Sequence, residues 1–296
     1  MHERQRESIN EMKINLVDID GKYPNLALMK MAAYYKSQGA EILFNSCRPS
    51  DKVFISVVFS QNLPRAQKIQ RALGGQIGGS GTGDYSIILP LDIEHIHPDY
   101  SLYGLNYSMG FTSRGCFRDC SFCIVPAKEG KVAEHSPLDE FVEHRDVVLL
   151  DNNFLASPQW RVKLQGMIDR KLRIDFNQGL DIRLLNAESA AMIAELAPPY
   201  LRFAWDSMAL FAEVKRGIRL LKLAGYPVNR NRIGFYVLTG HETTYKEDLY
   251  RLDYLHKLDI NTHVQPFIKN RENNRLSRWG NQPRIWTKTR FSQYTA

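Results

Sequence analysis

Residues 105–123, LNYSMGFTSRGCFRDCSFC, place a short apolar run directly before a polar loop that carries three of the chain's four cysteines. The same grammar recurs downstream. DVVLL (146–150), RIDFN (173–177), LRFAW (201–205), RIGFYVL (232–238) and NTHVQPF (261–267) are apolar runs of strand length. Between them lie helix-compatible stretches such as WRVKLQGMIDRK (160–171), AESAAMIAEL (187–196) and LFAEVKRGIRLLKLAG (210–225). Six strand–helix units are implied. Parallel strands need crossover connections, and these are right-handed, so successive units curl toward a barrel. The expectation is an α/β fold whose larger part, residues 101–268, is a partial (β/α)6 TIM-like barrel. Its chemistry is expected at the C-terminal ends of the strands.

Upstream the alternation is shorter. INLVDID (14–20), EILF (41–44) and VFISVVF (53–59) read as strands, while LALMKMAAYYKSQG (26–39) and PRAQKIQRALGG (64–75) carry helical periodicity. A small Rossmann-like α/β domain over residues 1–100 follows. The glycine-rich stretch 74–83 lacks the Gly-Lys-Ser/Thr ending of a phosphate loop and follows a helix, so it reads as a turn or linker. LDIEHIHPDYSLYG (91–104) reads as the crossing between domains, with His95 and His97 in structural or solvated roles.

With 296 residues, 44% hydrophobic and 24% charged, the composition is that of a globular chain. The opening residues MHERQRESIN lack a signal's apolar core, and no run reaches the roughly 20 apolar residues that span a bilayer. A cytoplasmic protein without membrane contact is expected. The net charge is +7, and the segment 269–296 holds most of it: Lys269, Arg271, Arg275, Arg278, Arg284, Lys288 and Arg290 stand against Glu272 alone. Interleaved with Trp279, Trp286 and Phe291, this basic C-terminal segment is a candidate nucleic-acid contact through phosphate attraction and base stacking. It reads equally as a closing segment whose aromatics pack on the barrel.

Cys116, Cys120 and Cys123 have C-x3-C-x2-C spacing, too crowded for a disulfide framework in a chain of this length. Three thiolates on one loop can each bind a different iron of a cubane and leave the fourth iron open. A structural zinc site needs a fourth ligand, and no second Cys pair follows. Cys47 is isolated and reads as an ordinary free thiol.

This loop, with Phe122 just before the last cysteine, resembles the signature of the radical S-adenosylmethionine (SAM) superfamily. The resemblance covers about residues 105–266. It implies a [4Fe–4S] cluster on the three cysteines and SAM chelated at the open iron. An external one-electron reductant of the flavodoxin or ferredoxin type drives reductive cleavage to a 5′-deoxyadenosyl radical. Carried over position by position, it assigns the methionine amine to Asp151, Asn152 and Asn153, which stand where the family has a Gly-Gly-Glu motif. Gln178, Asp181 and Arg183 follow the third barrel strand, where Arg183 suits the methionine carboxylate. Asp206 is placed at the ribose, and Leu238 and Gly240 at the adenine. His241 and His263, near strand ends, are candidates for proton transfer.

The small domain ahead of the barrel resembles the cobalamin-binding subclass. Asp18-Ile19-Asp20-Gly21 lacks the histidine of that subclass's Asp-x-His-x-x-Gly motif, so a degenerate domain without cobalamin is expected. The substrate is not legible. Modification of nucleic acid, by methylation or methylthiolation, is the alternative that the basic segment motivates. A non-catalytic iron–sulfur redox or nucleic-acid-binding module is the other.

Overall fold

The computed structural model describes residues 12–295. It divides into two compact units, one holding residues up to 108 together with 136–143, the other holding 109–135 and 144 onward.

The first unit contains β1 (Lys13–Asp18), α1 (Leu26–Ser37), β2 (Glu41–Phe44), β3 (Lys52–Ser56), α2 (Leu63–Leu73), β4 (Gln76–Gly78) and the single turn α3 (Leu91–Glu94). Its sheet has the order β2-β1-β3-β4, and every pair is parallel. Alternation along β1 decides the layering. Ile14 and Leu16 join Leu28 and Ala32 of α1 in one core cluster, whereas Val17 joins Val53, Ile55 and Ala66 of α2 in another. The sheet is therefore covered on both faces, as parallel sheets require. The glycine-rich run differs from its reading as a plain turn or linker: three of its residues form β4, hydrogen-bonded to β3.

The expected boundary at residue 100 also differs. Residues 136–143 belong with the first unit because Leu138 and Phe141 are buried, the Phe141 carbonyl accepts the Tyr100 hydroxyl at 2.5 Å, and Glu140 meets His95 at 3.1 Å.

The second unit is built from β5 (Ser108–Gly110), β6 (Ser113–Arg114), α4 (Val125–Glu129), β7 (Ala133–Glu134), β8 (Asp146–Leu149), α5 (Trp160–Asp169), β9 (Arg173–Phe176), α6 (Ala187–Leu196), β10 (Leu201–Ala204), α7 (Phe211–Leu223), β11 (Ile233–Thr239), α8 (Tyr245–Lys257), β12 (Asn261–Pro266), α9 (Arg271–Gly280) and α10 (Pro283–Trp286). All six expected strands are present, in chain order, as two three-stranded sheets: β5-β8-β9 and β10-β11-β12. A TIM-like barrel wall formed as one ladder is not what is observed. Between the two sheets, the Leu180 N–H, from the turn after β9, donates to the Arg202 carbonyl of β10 at 2.8 Å. Each sheet buries its outer residues, among them Val147, Ile174, Phe203, Phe235 and Val264. Capping boxes start α6 at Asn186 and α8 at Thr244.

The C-terminal segment is part of this unit and not an appendage. Asn281 donates to the Val264 carbonyl at 3.1 Å and Thr262 to the Gly280 carbonyl at 2.7 Å, fastening the end of α9 to β12. Leu276, Trp279, Trp286 and Phe291 are buried.

Candidate functional site

The parallel pairings β8–β9, β10–β11 and β11–β12 bring the C-terminal ends of these strands to one edge. The cysteine loop leaves β6 at that edge. The short antiparallel pair β6–β7 brackets it, and the Cys116 N–H donates to the Gly130 carbonyl at 3.1 Å. Gly115 enters the loop at φ +84°, and a Cβ there would lie 2.3 Å from the Lys131 carbonyl oxygen, so the close approach excludes any side chain.

The residues after β8 hold this loop. Asp151 is buried and accepts four hydrogen bonds, from the backbone N–H groups of Thr112 and Ser113 and from both hydroxyls, at 2.6–2.8 Å. Its carboxylate thus holds the strand leading into the loop, a structural task beside the expected contact with a methionine amine. Burial pushes its carboxyl upward against these bonds. Asn152 Oδ1 accepts the Gly115 N–H at 2.8 Å. Asn153 Nδ2 donates to Cys116 Sγ at 3.3 Å, while its Oδ1 is buried and has no partner among the described residues. A buried acceptor without a donor is costly, and this one lies beside a cysteine sulfur.

Asp181, after β9, is the hub of the next layer. Its carboxylate accepts Arg118 Nε at 3.0 Å, Arg183 Nε at 2.6 Å and Arg183 Nη2 at 3.0 Å, with Asn153 Nδ2 at 3.5 Å. Burial opposes its charge, yet Arg183 and Arg118 outweigh it and hold the carboxyl below its ordinary range. Arg118 also donates its N–H to Cys116 Sγ at 3.4 Å, so one residue ties the loop to Asp181. Arg183 offers the charge that opposes burial at the Cys120 thiol; burial still prevails and that thiol is raised. Gln178 is exposed on the turn after β9.

Asp206, after β10, accepts the Leu238 N–H at 3.1 Å; its carboxyl is raised, chiefly by burial. Arg183, Asp206 and Cys120 all act on one another electrostatically. The Leu238 carbonyl accepts Arg251 at 2.8 Å, so both backbone polar groups of Leu238 have a partner within the protein, at the position where an adenine contact is expected. Gly240 is a packing requirement: it has φ +73°, its N–H donates to Asp248 at 3.0 Å, and a Cβ would meet Asn273 Nδ2 at 2.4 Å.

His241 stands at the cysteine loop itself. Its Nε2 is 3.3 Å from Ser121 Oγ, and its ring lies edge-on to Phe122 at 5.2 Å and Phe267 at 4.5 Å. His263 is elsewhere, edge-on to Tyr236, in a cavity of about 410 Å³ that Tyr200, Arg202 and Asn261 also line; burial lowers its pKa.

Arg118 and the buried Asp248–Arg251 pair escape the sequence reading. Arg251, on α8, is fully buried and donates to the carbonyls of Trp205 and Leu238 and to Asp248. Its spacing to Asp248, three residues along the helix, is the only trace of this in the sequence.

Among the described residues, no three His, Cys, Asp or Glu side chains converge to hold a single metal ion. A cubane makes a different demand, since each thiolate binds its own iron. Within the loop, hydrogen bonds reach Cys116 Sγ from Asn153 and Arg118, and Cys123 Sγ receives the Val125 N–H at 3.5 Å. Cys47 is exposed in the first unit.

No protein-family model matches the chain, and no curated protein matches it. Among solved structures it is similar to the apo, selenomethionine-labelled form of OxsB, a cobalamin-dependent S-adenosylmethionine radical enzyme. The TM-score is 0.38 at 14% identity, over 90% of this chain and 51% of that one. The chain therefore spans about half the length of that enzyme. The expected absence of cobalamin gains no support from these comparisons. No helix among the described residues is long and apolar enough to cross a membrane.

Proposed function

We propose that the second unit holds a [4Fe–4S] cluster on Cys116, Cys120 and Cys123 with SAM beside it, and that the protein is a radical SAM enzyme. The observation that carries this reading is the cysteine loop's position at the shared C-terminal edge, with the polar ends of β8, β9 and β10 turned toward it. When bound, the cluster would pass one electron from an external reductant to SAM, breaking its C5′–S bond to give methionine and a 5′-deoxyadenosyl radical.

The chain's own residues would bind and orient. Asn153 Oδ1, buried and unpartnered, suits an ammonium donor. Arg183 keeps Nη1 for a carboxylate while Asp181 holds the rest of its guanidinium. Asp206, bonded through one oxygen, suits a ribose hydroxyl. Asp151 and Asn152 set the loop's shape.

The test is anaerobic reconstitution with iron and sulfide, reduction by dithionite, and quantification of 5′-deoxyadenosine and methionine beside a Cys120→Ala control. Cleavage lost in the control is expected. A cluster that assembles and never cleaves SAM, even with candidate substrates added, overturns the enzyme reading in favour of a redox or binding module.

A further inference from the structure

The basic C-terminal segment separates its two kinds of residue. Trp279, Trp286 and Phe291 are buried, and Trp286 stacks on His256 with ring centroids 4.1 Å apart. These aromatics cannot stack on bases. The cations point the other way: Lys269, Arg271, Arg278, Arg284, Lys288 and Arg290 are all exposed. Only Arg275 is drawn in, donating to the Tyr294 carbonyl and lying 4.6 Å from the Phe291 ring. Arg271 and Arg278, seven residues apart on α9, share one face. Four of the six exposed cations are arginine, the side chain whose planar donor fork matches phosphate.

This face begins where the candidate site ends. Phe267 packs against His241, which touches Phe122 and Ser121 of the cysteine loop, and Lys269 and Arg271 follow within four residues. Around the loop, Phe117, Phe122 and Phe267 are exposed by 51%, 39% and 54%. Exposed rings offer sequence-tolerant stacking to unpaired bases.

We propose that the solvent face of α9 and α10 holds the phosphates of a single-stranded polynucleotide and leads its bases to the exposed aromatics at the cysteine loop. This rests on the proposed function for its chemistry and names the substrate class. Docking itself needs neither SAM nor electrons, so the two readings fail separately.

The experiment uses the full chain with a reconstituted cluster and a fluorescein-labelled mixed-sequence 20-nucleotide RNA, followed by anisotropy between 50 and 200 mM salt. The triple variant Arg271→Glu, Arg278→Glu, Arg284→Glu is compared with Lys68→Glu, Arg71→Glu on the exposed face of α2. Affinity should fall at least tenfold in the triple variant, and the slope of log K against log salt should shrink by about 2, at roughly 0.7 per lost phosphate contact. Single Arg271→Gln and Arg278→Gln changes should each remove about 0.7 of slope, which keeps the test valid if the triple variant misfolds. RNA binding that is absent, unchanged in these variants, or lost equally in the α2 variant overturns the proposal. So does binding confined to phosphatidylglycerol vesicles or to an acidic flavodoxin.

Discussion

Arg183 is where the site's electrostatics and its proposed ligand meet. Asp181 fixes the guanidinium from one side, and the neighbouring Cys120 and Asp206 raise its affinity for the proton against burial. Replacing Arg183 by Gln should weaken SAM binding by about ten- to a hundredfold, the scale of a charge-assisted hydrogen bond of about 1.5–3 kcal/mol. Cluster assembly should survive, because Arg183 bonds none of the cysteine sulfurs. Equilibrium dialysis with labelled SAM, read beside the cluster's visible absorbance, checks both. An unchanged affinity would remove Arg183 from the site. A second residue carries a pH signature: His256 is pressed between Trp286 and Trp279, hydrogen-bonded to Thr262 at 2.9 Å, and burial lowers its pKa to about 3. Its folded pKa lies below the unfolded value, so its contribution is fully present above about pH 6.5 and drains away as pH falls toward 3. Between pH 7 and pH 5 this amounts to about 2 kcal/mol. Urea midpoints across that range should fall in the native protein and change less in His256→Gln; parallel slopes would refute the assignment.

At the scale of elements, α8 braces the edge on which the site stands. Arg251 joins the ends of β10 and β11 through the carbonyls of Trp205 and Leu238, and Asp248 clamps the Gly240 N–H and the Thr243 hydroxyl at 3.0 and 2.7 Å. Arg251→Met leaves Asp248 buried without its partner, a change that costs about 3–5 kcal/mol. Arg251→Met with Asp248→Asn should recover part of that loss in equilibrium denaturation, and a double variant no more stable than the single one would contradict the pairing. This pair also marks the limit of reading elements from sequence. Strands β8 to β12 and helices α5 to α7 were legible because apolar runs and helical periodicity survive in one dimension. Asp248 and Arg251 were not, because charges on an amphipathic helix read as a solvated face until the partner carbonyls are known. The detour of residues 136–143 was hidden for a related reason: two apolar residues, Leu138 and Phe141, give no period, and their partners lie some forty residues away. The division into two three-stranded ladders was not legible either, because apolar runs mark strands without saying which neighbours pair. In the site, the cysteine spacing was legible outright, whereas the structural tasks of Asp151, Leu238 and Gly240, residue types suited to ligand contacts, were not.

Across the whole second unit, the C-terminal segment closes the sheet β10-β11-β12 and carries the charge outward. Its two tasks call for two different experiments. Deleting residues 269–296 removes Leu276, Trp279, Trp286 and Phe291 from the core and uncovers Val264 and His256. Full burial of each large apolar side chain is worth about 1.5–3 kcal/mol, so losing four of them exceeds the low end of a domain's net stability of about 5–15 kcal/mol. The truncated chain should lose its cooperative thermal transition and expose its tryptophans to quencher. Any fall in RNA affinity on truncation would then report unfolding as readily as lost phosphate contacts, whereas reversing exposed charges leaves the aromatic layer in place. Circular dichroism melts of the two variants separate the cases: a folded truncation would mean that the segment is an appendage after all, and that its aromatics are available to a ligand.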